Sequence, residues 1–142
     1  MKSSLFYKIT AVVLVLFAAG HTFGFRQTDP SWRVDSLVAS MKAIHFNVQG
    51  FNRTYWDFFL AFGLFVTVFL LFSVVLSWQL GSMKPDFLSQ IPIIRWSFAL
   101  SYVAIAVLSW SYVFVIPGVM ATLLAVCLLV AAWLPARPMG AS

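Results

Sequence analysis

Four stretches of the chain are apolar on every side, and the segments between them are not. Residues 8–25, 55–78, 93–114 and 118–134 carry at most one charged residue each, always near an end. Each is close to the roughly 20 residues a helix needs to cross the hydrocarbon of a bilayer. No water is present there to satisfy the backbone, so a lone apolar run closes its hydrogen bonds internally, as a helix. The pattern predicts an all-α membrane protein over residues 1–142, with four transmembrane helices in an up-down bundle. Phe114-Val-Ile-Pro-Gly118 is almost free of polar residues, so the last two spans are expected as a tight antiparallel hairpin.

Between the first two spans the pattern changes. Val34, Leu37, Val38, Met41, Ile44, His45 and Val48 recur at helical spacing, with Arg33, Asp35, Ser36, Ser40, Lys42 and Asn47 on the other face. Asp29-Pro30 reads as a helix start, and Gly50 as a stop. An amphipathic interfacial helix over residues 30–49 follows, lying on the membrane or across the bundle mouth as a lid. Residues 81–90 form a short polar connection broken by Pro85, and Trp133, Pro135 and Arg137 close the fourth span.

The first span has a rival reading. Lys2 and Lys8, an apolar run and Ala18-Ala19-Gly20 resemble a signal peptide with a small-residue cleavage site. Apolar character continues through Phe23 and Phe25, which favours a retained helix. Gly20 and Gly24 stand one helical turn apart, a spacing that lets a second helix approach closely.

Composition narrows the class. With 62 % hydrophobic and 9 % charged residues the chain is no soluble globular domain. The net charge of +5 comes from Lys and Arg placed singly at segment ends, which suits headgroups and not nucleic acid. Lys2, Lys8, Lys84, Arg95 and Arg137 fall on one side, and Arg26, Arg33, Lys42 and Arg53 on the other. That count puts both termini in the cytoplasm and the lid outside, with Arg95 snorkelling to headgroups. Cys127, the one cysteine, lies in an apolar run and reads as a small buried hydrophobe.

Candidate chemistry gathers where Asn52-Arg-Thr-Tyr-Trp-Asp-Phe-Phe59 enters the second span. An ionisable residue at the edge of hydrocarbon is costly unless paired or hydrogen-bonded. Thr54-x-x-Asp57 has capping-box spacing, which accounts for Asp57 structurally. Up-down topology brings His21 to nearly the same depth, with Thr22, Tyr55, Ser109, Tyr112 and Thr122 in that layer. Polarity is thereby expected at one end of the bundle, with His21 and Asp57 as partners. The expected ligand-binding set is His21, Thr22, Arg53, Tyr55, Asp57 and Tyr112. His21 and His45, the only histidines, offer no haem pair, and no spacing announces a metal. No cofactor is expected.

Ala19-Gly-His-Thr-Phe-Gly-Phe25 and Arg53-Thr-Tyr-Trp-Asp-Phe-Phe-Leu-Ala-Phe-Gly-Leu64 resemble signatures of a group of small bacterial four-helix membrane proteins. In size and topology the chain is also similar to DoxX-like proteins. The resemblance implies the architecture and a bacterial inner-membrane location, and it implies no activity. The preferred expectation is a non-enzymatic protein that binds a lipophilic or amphiphilic small molecule, or a partner helix, at the lid-side end. One alternative is a small enzyme acting on a lipid or isoprenoid, with His21 and Asp57 as an acid/base pair. The other is an accessory subunit, or a homo-oligomer, packed through Gly20 and Gly24.

Overall fold

The computed structural model describes residues 2–134. In chain order they form α1 (Lys2–Gly24), a 3-10 turn (Pro30–Trp32), α2 (Asp35–Ala43), β1 (His45–Val48), β2 (Phe51–Thr54), α3 (Tyr55–Ser82), α4 (Pro85–Ser89), α5 (Pro92–Tyr112) and α6 (Val115–Trp133). α1, α3, α5 and α6 are long and apolar enough to cross a membrane, as the four apolar runs required. Their ends differ from the sequence expectation by a few residues. α3 is the longest, 28 residues or about 42 Å. Pro135 and Arg137 lie outside the described residues.

Contacts divide the chain into two units, Met1–Phe17 with Leu70–Ser142, and Ala18–Phe69. In the first, buried positions recur three and four residues apart. They include Ser3, Tyr7, Thr10 and Leu14 on α1, and Leu70, Ser73, Ser77 and Leu80 on α3. On α5 they include Arg95, Ala99, Tyr102, Ala106 and Ser109, and on α6 Ala121, Leu124, Ala125, Leu128 and Ala132. The inward stripes set small side chains and hydroxyls beside a few large ones, Tyr7, Leu14, Leu80, Tyr102, Leu124 and Leu128, while most of the phenylalanines, valines and isoleucines of these helices point outward. That is the pattern of helices associating in lipid, where close backbone approach and interhelical hydrogen bonds replace hydrophobic contrast.

Those hydroxyls join the helices directly. Ser77 Oγ donates to Tyr7 O at 2.7 Å, Ser3 Oγ to Ala131 O at 2.8 Å, and Ser4 Oγ to Gly81 O. The start of α1, which the apolar run alone did not include, is held by its serines. α5 and α6 pack on each other across a two-residue link, Val113–Phe114. Trp110 Nε1 donates to Thr122 Oγ1 at 3.0 Å near the link, with the indole ring against Gly118.

Arg95 corrects the sequence reading. Instead of snorkelling it is 6 % exposed, and its Nη2 donates to the carbonyls of Ala131, Ala132 and Leu134 at 2.8–2.9 Å. Its Nε also reaches Tyr7 Oη at 3.4 Å. The last carbonyls of a helix have no partner within it, and they carry the negative end of the macrodipole. The guanidinium supplies several donors to the end of α6. The sequence placed the polarity at the lid-side end of the bundle; this unit has buried polar residues of its own. Ser3, Tyr7, Thr10, Ser73, Ser77, Arg95, Tyr102 and Ser109 are all buried in this first unit.

The lid is corrected as well. Residues 30–49 are not one helix: a three-residue 3-10 turn ends at Arg33 with φ of 52°, α2 runs only to Ala43, and a β-hairpin follows. Ile44 and Val48 fit a helical period, but with Phe46 between them they alternate with His45 and Asn47. A period of two is a strand signal. Gln49 and Gly50 both have positive φ, 50° and 87°, as a two-residue type I′ turn requires. Asn47 Oδ1 accepts from Gly50 N at 2.9 Å, fixing that turn.

Candidate functional site

The site lies in the second unit and is built on the hairpin. Pairing His45 with Thr54, Phe46 with Arg53, Asn47 with Asn52 and Val48 with Phe51 separates its side chains into two faces. His45, Asn47, Asn52 and Thr54 form one face, entirely polar. Phe46, Val48 and Phe51 form the other, with Arg53 among them. The Arg53 guanidinium stands 5.2 Å from the centre of the Phe51 ring, and its Nη1 donates to Asn52 O at 3.0 Å.

The apolar face continues onto α3. Phe46 stacks on Phe58 with ring centres 5.9 Å apart and planes within 2°, and meets Tyr55 at 5.0 Å. Tyr55 and Phe58 share one side of the first turn of α3. Trp56, Phe59 and Gly63 share another, where Trp56 contacts Phe59 at 5.2 Å and Phe59 contacts Phe25 at 5.9 Å. Lys42 of α2 sits 4.4 Å above the Trp56 ring. Cations here rest on aromatic faces, a geometry that stabilises charge at a wet apolar boundary.

Asp57 is engaged by its own helix start. Its Oδ2 accepts from Thr54 N at 2.8 Å and Thr54 Oγ1 at 3.0 Å, and Asp57 N donates to Thr54 Oγ1 at 3.2 Å. This is the capping box that the spacing predicts. The hairpin register sets His45 opposite Thr54 and places Arg53 next to it in the chain, so both lie beside this contact.

His21 and Asp57 do not form the expected pair. His21 Nε2 donates to Gly63 O at 2.9 Å, which puts the ring proton on that nitrogen. Gly63 lies six residues beyond Asp57, about 9 Å along the helix. The absent side chain at Gly63 makes room for the Phe25 ring, which stacks on His21 at 5.2 Å. Thr22 joins the same contact: its hydroxyl donates to Ala18 O at 2.7 Å and lies 3.0 Å from Thr67 Oγ1. The sequence estimate matched the two helices by their ends, whereas the packing is set by where a glycine admits a ring.

Of the six expected ligand-binding residues, His21, Thr22, Arg53, Tyr55 and Asp57 belong to this unit, and Tyr112 belongs to the first, at the exposed end of α5. Phe46 and Phe51 were missed. The signal for the first of them was the alternation of Ile44, Phe46 and Val48 with His45 and Asn47 ahead of Gln49-Gly50. Before the hairpin, Asp29 Oδ1 accepts from Ser31 N at 2.8 Å. Ser31, through its hydroxyl and then its backbone N–H, holds the Asp29 carboxyl below its ordinary pKa. Among the described residues no three His, Cys, Asp or Glu side chains come together as a metal site. In comparison with known proteins, the chain matches no family model, no curated protein and no solved structure.

Proposed function

We propose that this is a multi-pass protein of the bacterial inner membrane whose hairpin end binds an amphiphilic small molecule. In this reading the four spans alternate in direction, both termini face the cytoplasm, and the hairpin segment lies at the outer interface. One observation carries the proposal: a two-faced hairpin presents an apolar surface that its own unit leaves open. Phe51 is 61 % exposed, Tyr55 65 % and Val48 39 %. The apolar part of a ligand lies on Phe46, Phe51 and Phe58, and its anionic group meets Arg53, whose planar fork suits carboxylate or phosphate. Thr54, Asp57 and His21 hold the platform and do not touch the ligand. Catalysis by His21 and Asp57 is not adopted, since each already has its own partners.

The test is native mass spectrometry of the detergent-solubilised protein. Wild type retains an amphiphile of defined mass, and both Phe51→Ser and Arg53→Gln lose it while the helical circular-dichroism signal is unchanged. Retention undiminished in both variants would contradict the proposal.

A second reading has its own observation. A Cβ built at Gly20 or Gly24 meets nothing within 4 Å, so the close-approach face of α1 is uncovered. A partner helix, from another protein or a second copy, fits there. Gly20→Leu should then dissociate a complex on native gels, and a protein that runs alone at every detergent concentration excludes this reading.

A further inference from the structure

A second lipid-facing feature lies in the first unit, where α1 and α3 are fastened together. Ser4 and Ser77 bond α1 to α3 through Gly81 O and Tyr7 O. Beside them the backbone of Gly81 lies against Lys8: a Cβ at Gly81 would stand 2.9 Å from Lys8 Cγ and 3.2 Å from Lys8 N. The lysine stem is thus steered to one side, and its ammonium sits 5.6 Å from the centre of the Trp78 ring. Next to this pair is an open groove of about 290 Å³ lined by Lys8, Ile9, Val12, Val13 and Trp78.

The groove combines features that belong together in one kind of ligand. Ile9, Val12 and Val13 follow α1 toward the middle of the span, a track of hydrocarbon with no hydrogen-bonding group. Lys8 stands at its head, six residues into the helix, or about 9 Å from its first residue. A cation at the edge of hydrocarbon needs an anion, or the electron-rich face of an indole, which is what it has here. Aromatic and basic residues at that depth meet lipid headgroups. A free inorganic anion would use the lysine and leave the groove empty, whereas a neutral hydrocarbon would fill the groove and make no use of the ammonium.

We propose that this groove holds one anionic phospholipid, its phosphate on Lys8 and Trp78 and an acyl chain along Ile9, Val12 and Val13. The site is distinct from the hairpin end, because none of its residues belongs to that unit. The ammonium supplies selectivity for net negative headgroups, and the groove supplies the grip on the chain.

The experiment uses the full chain reconstituted with equal phosphatidylglycerol and phosphatidylcholine, then released into the gas phase so that retained lipids are counted by mass. Wild type should keep one phosphatidylglycerol in preference to phosphatidylcholine. Lys8→Gln should lower that preference about fivefold, the scale of one basic residue at a membrane surface. Lys8→Arg should keep the preference, and Val12→Trp, which fills the groove, should remove the retained lipid altogether. Equal retention of the two lipids by wild type, or an unchanged preference in Lys8→Gln, overturns the proposal. Lys8, Val12 and Trp78 are exposed, and an unaltered melting curve for each variant separates lost lipid from lost fold.

Discussion

Thr54 and Asp57 bond each other in both directions: the Asp57 carboxylate accepts from Thr54 N at 2.8 Å, and Thr54 Oγ1 accepts from Asp57 N at 3.2 Å. A strand ends and the longest helix begins within this one contact. The carboxylate at the start of this apolar helix is thereby satisfied by two donors of its own chain. It serves as the corner on which the hairpin is mounted, and the hairpin in turn brings His45 to it.

Removing the corner should loosen the mount. Thr54 is buried, and Thr54→Ala should cost about 1 kcal/mol, the usual scale for a lost helix cap. Thr54→Ser should recover most of that. Chemical unfolding in detergent micelles reads the difference, while amide exchange should speed up in the first turn of α3 and leave α5 unaffected.

The end of α6 depends on Arg95. Arg95→Met leaves the carbonyls of Ala131 and Ala132 without that donor and should destabilise the protein by roughly 3 kcal/mol. Arg95→Lys should recover only part, because a single ammonium cannot reproduce the planar fork. Unfolding of the two variants in the same micelle gives the comparison.

The turn of the hairpin contains an avoidable strain. Gln49 has a φ of 50°, and Asn occupies that region more readily, particularly before Gly in a type I′ turn. Gln49→Asn should stabilise the hairpin by roughly 0.5–1 kcal/mol. Slower amide exchange at Phe51 and Arg53, whose N–H groups face the partner strand, is the measurement.

Asp29 gives a pH signature. Its folded pKa is lowered, chiefly by Ser31, so the carboxylate helps hold the 3-10 turn above the pKa of a free aspartate. That contribution disappears as the pH falls through the lowered value. Carbon-13 titration of Asp29 should show the low midpoint in wild type, and Ser31→Ala should return it toward the ordinary one.

The four spans were legible because twenty apolar residues in a row admit few structures. The seam inside the first unit was not, since lipid and protein interior reward the same hydrophobicity. Its marks are the small and hydroxylic residues at Ser3, Ser73, Ser77, Ala99 and Ala106. Arg95 looked like a headgroup contact because its partners are backbone carbonyls, which no sequence spacing announces. At residues 44–54 the helical and alternating periods overlap. The helical reading used Ile44 and Val48 and passed over Phe46, so it missed the strand. The capping box was readable, being local, but the partner of His21 was set by a glycine on another helix.

The proposal that the hairpin end receives an amphiphile rests on its two faces behaving differently. A photo-reactive benzophenone residue placed at Val48, on the apolar face, and separately at Asn47, on the polar face, tests this in native membranes. Cross-linking from position 48 to a lipid-like small molecule, with none from position 47, is the expected result. Equal yields from the two positions, or no adduct from position 48, would contradict it.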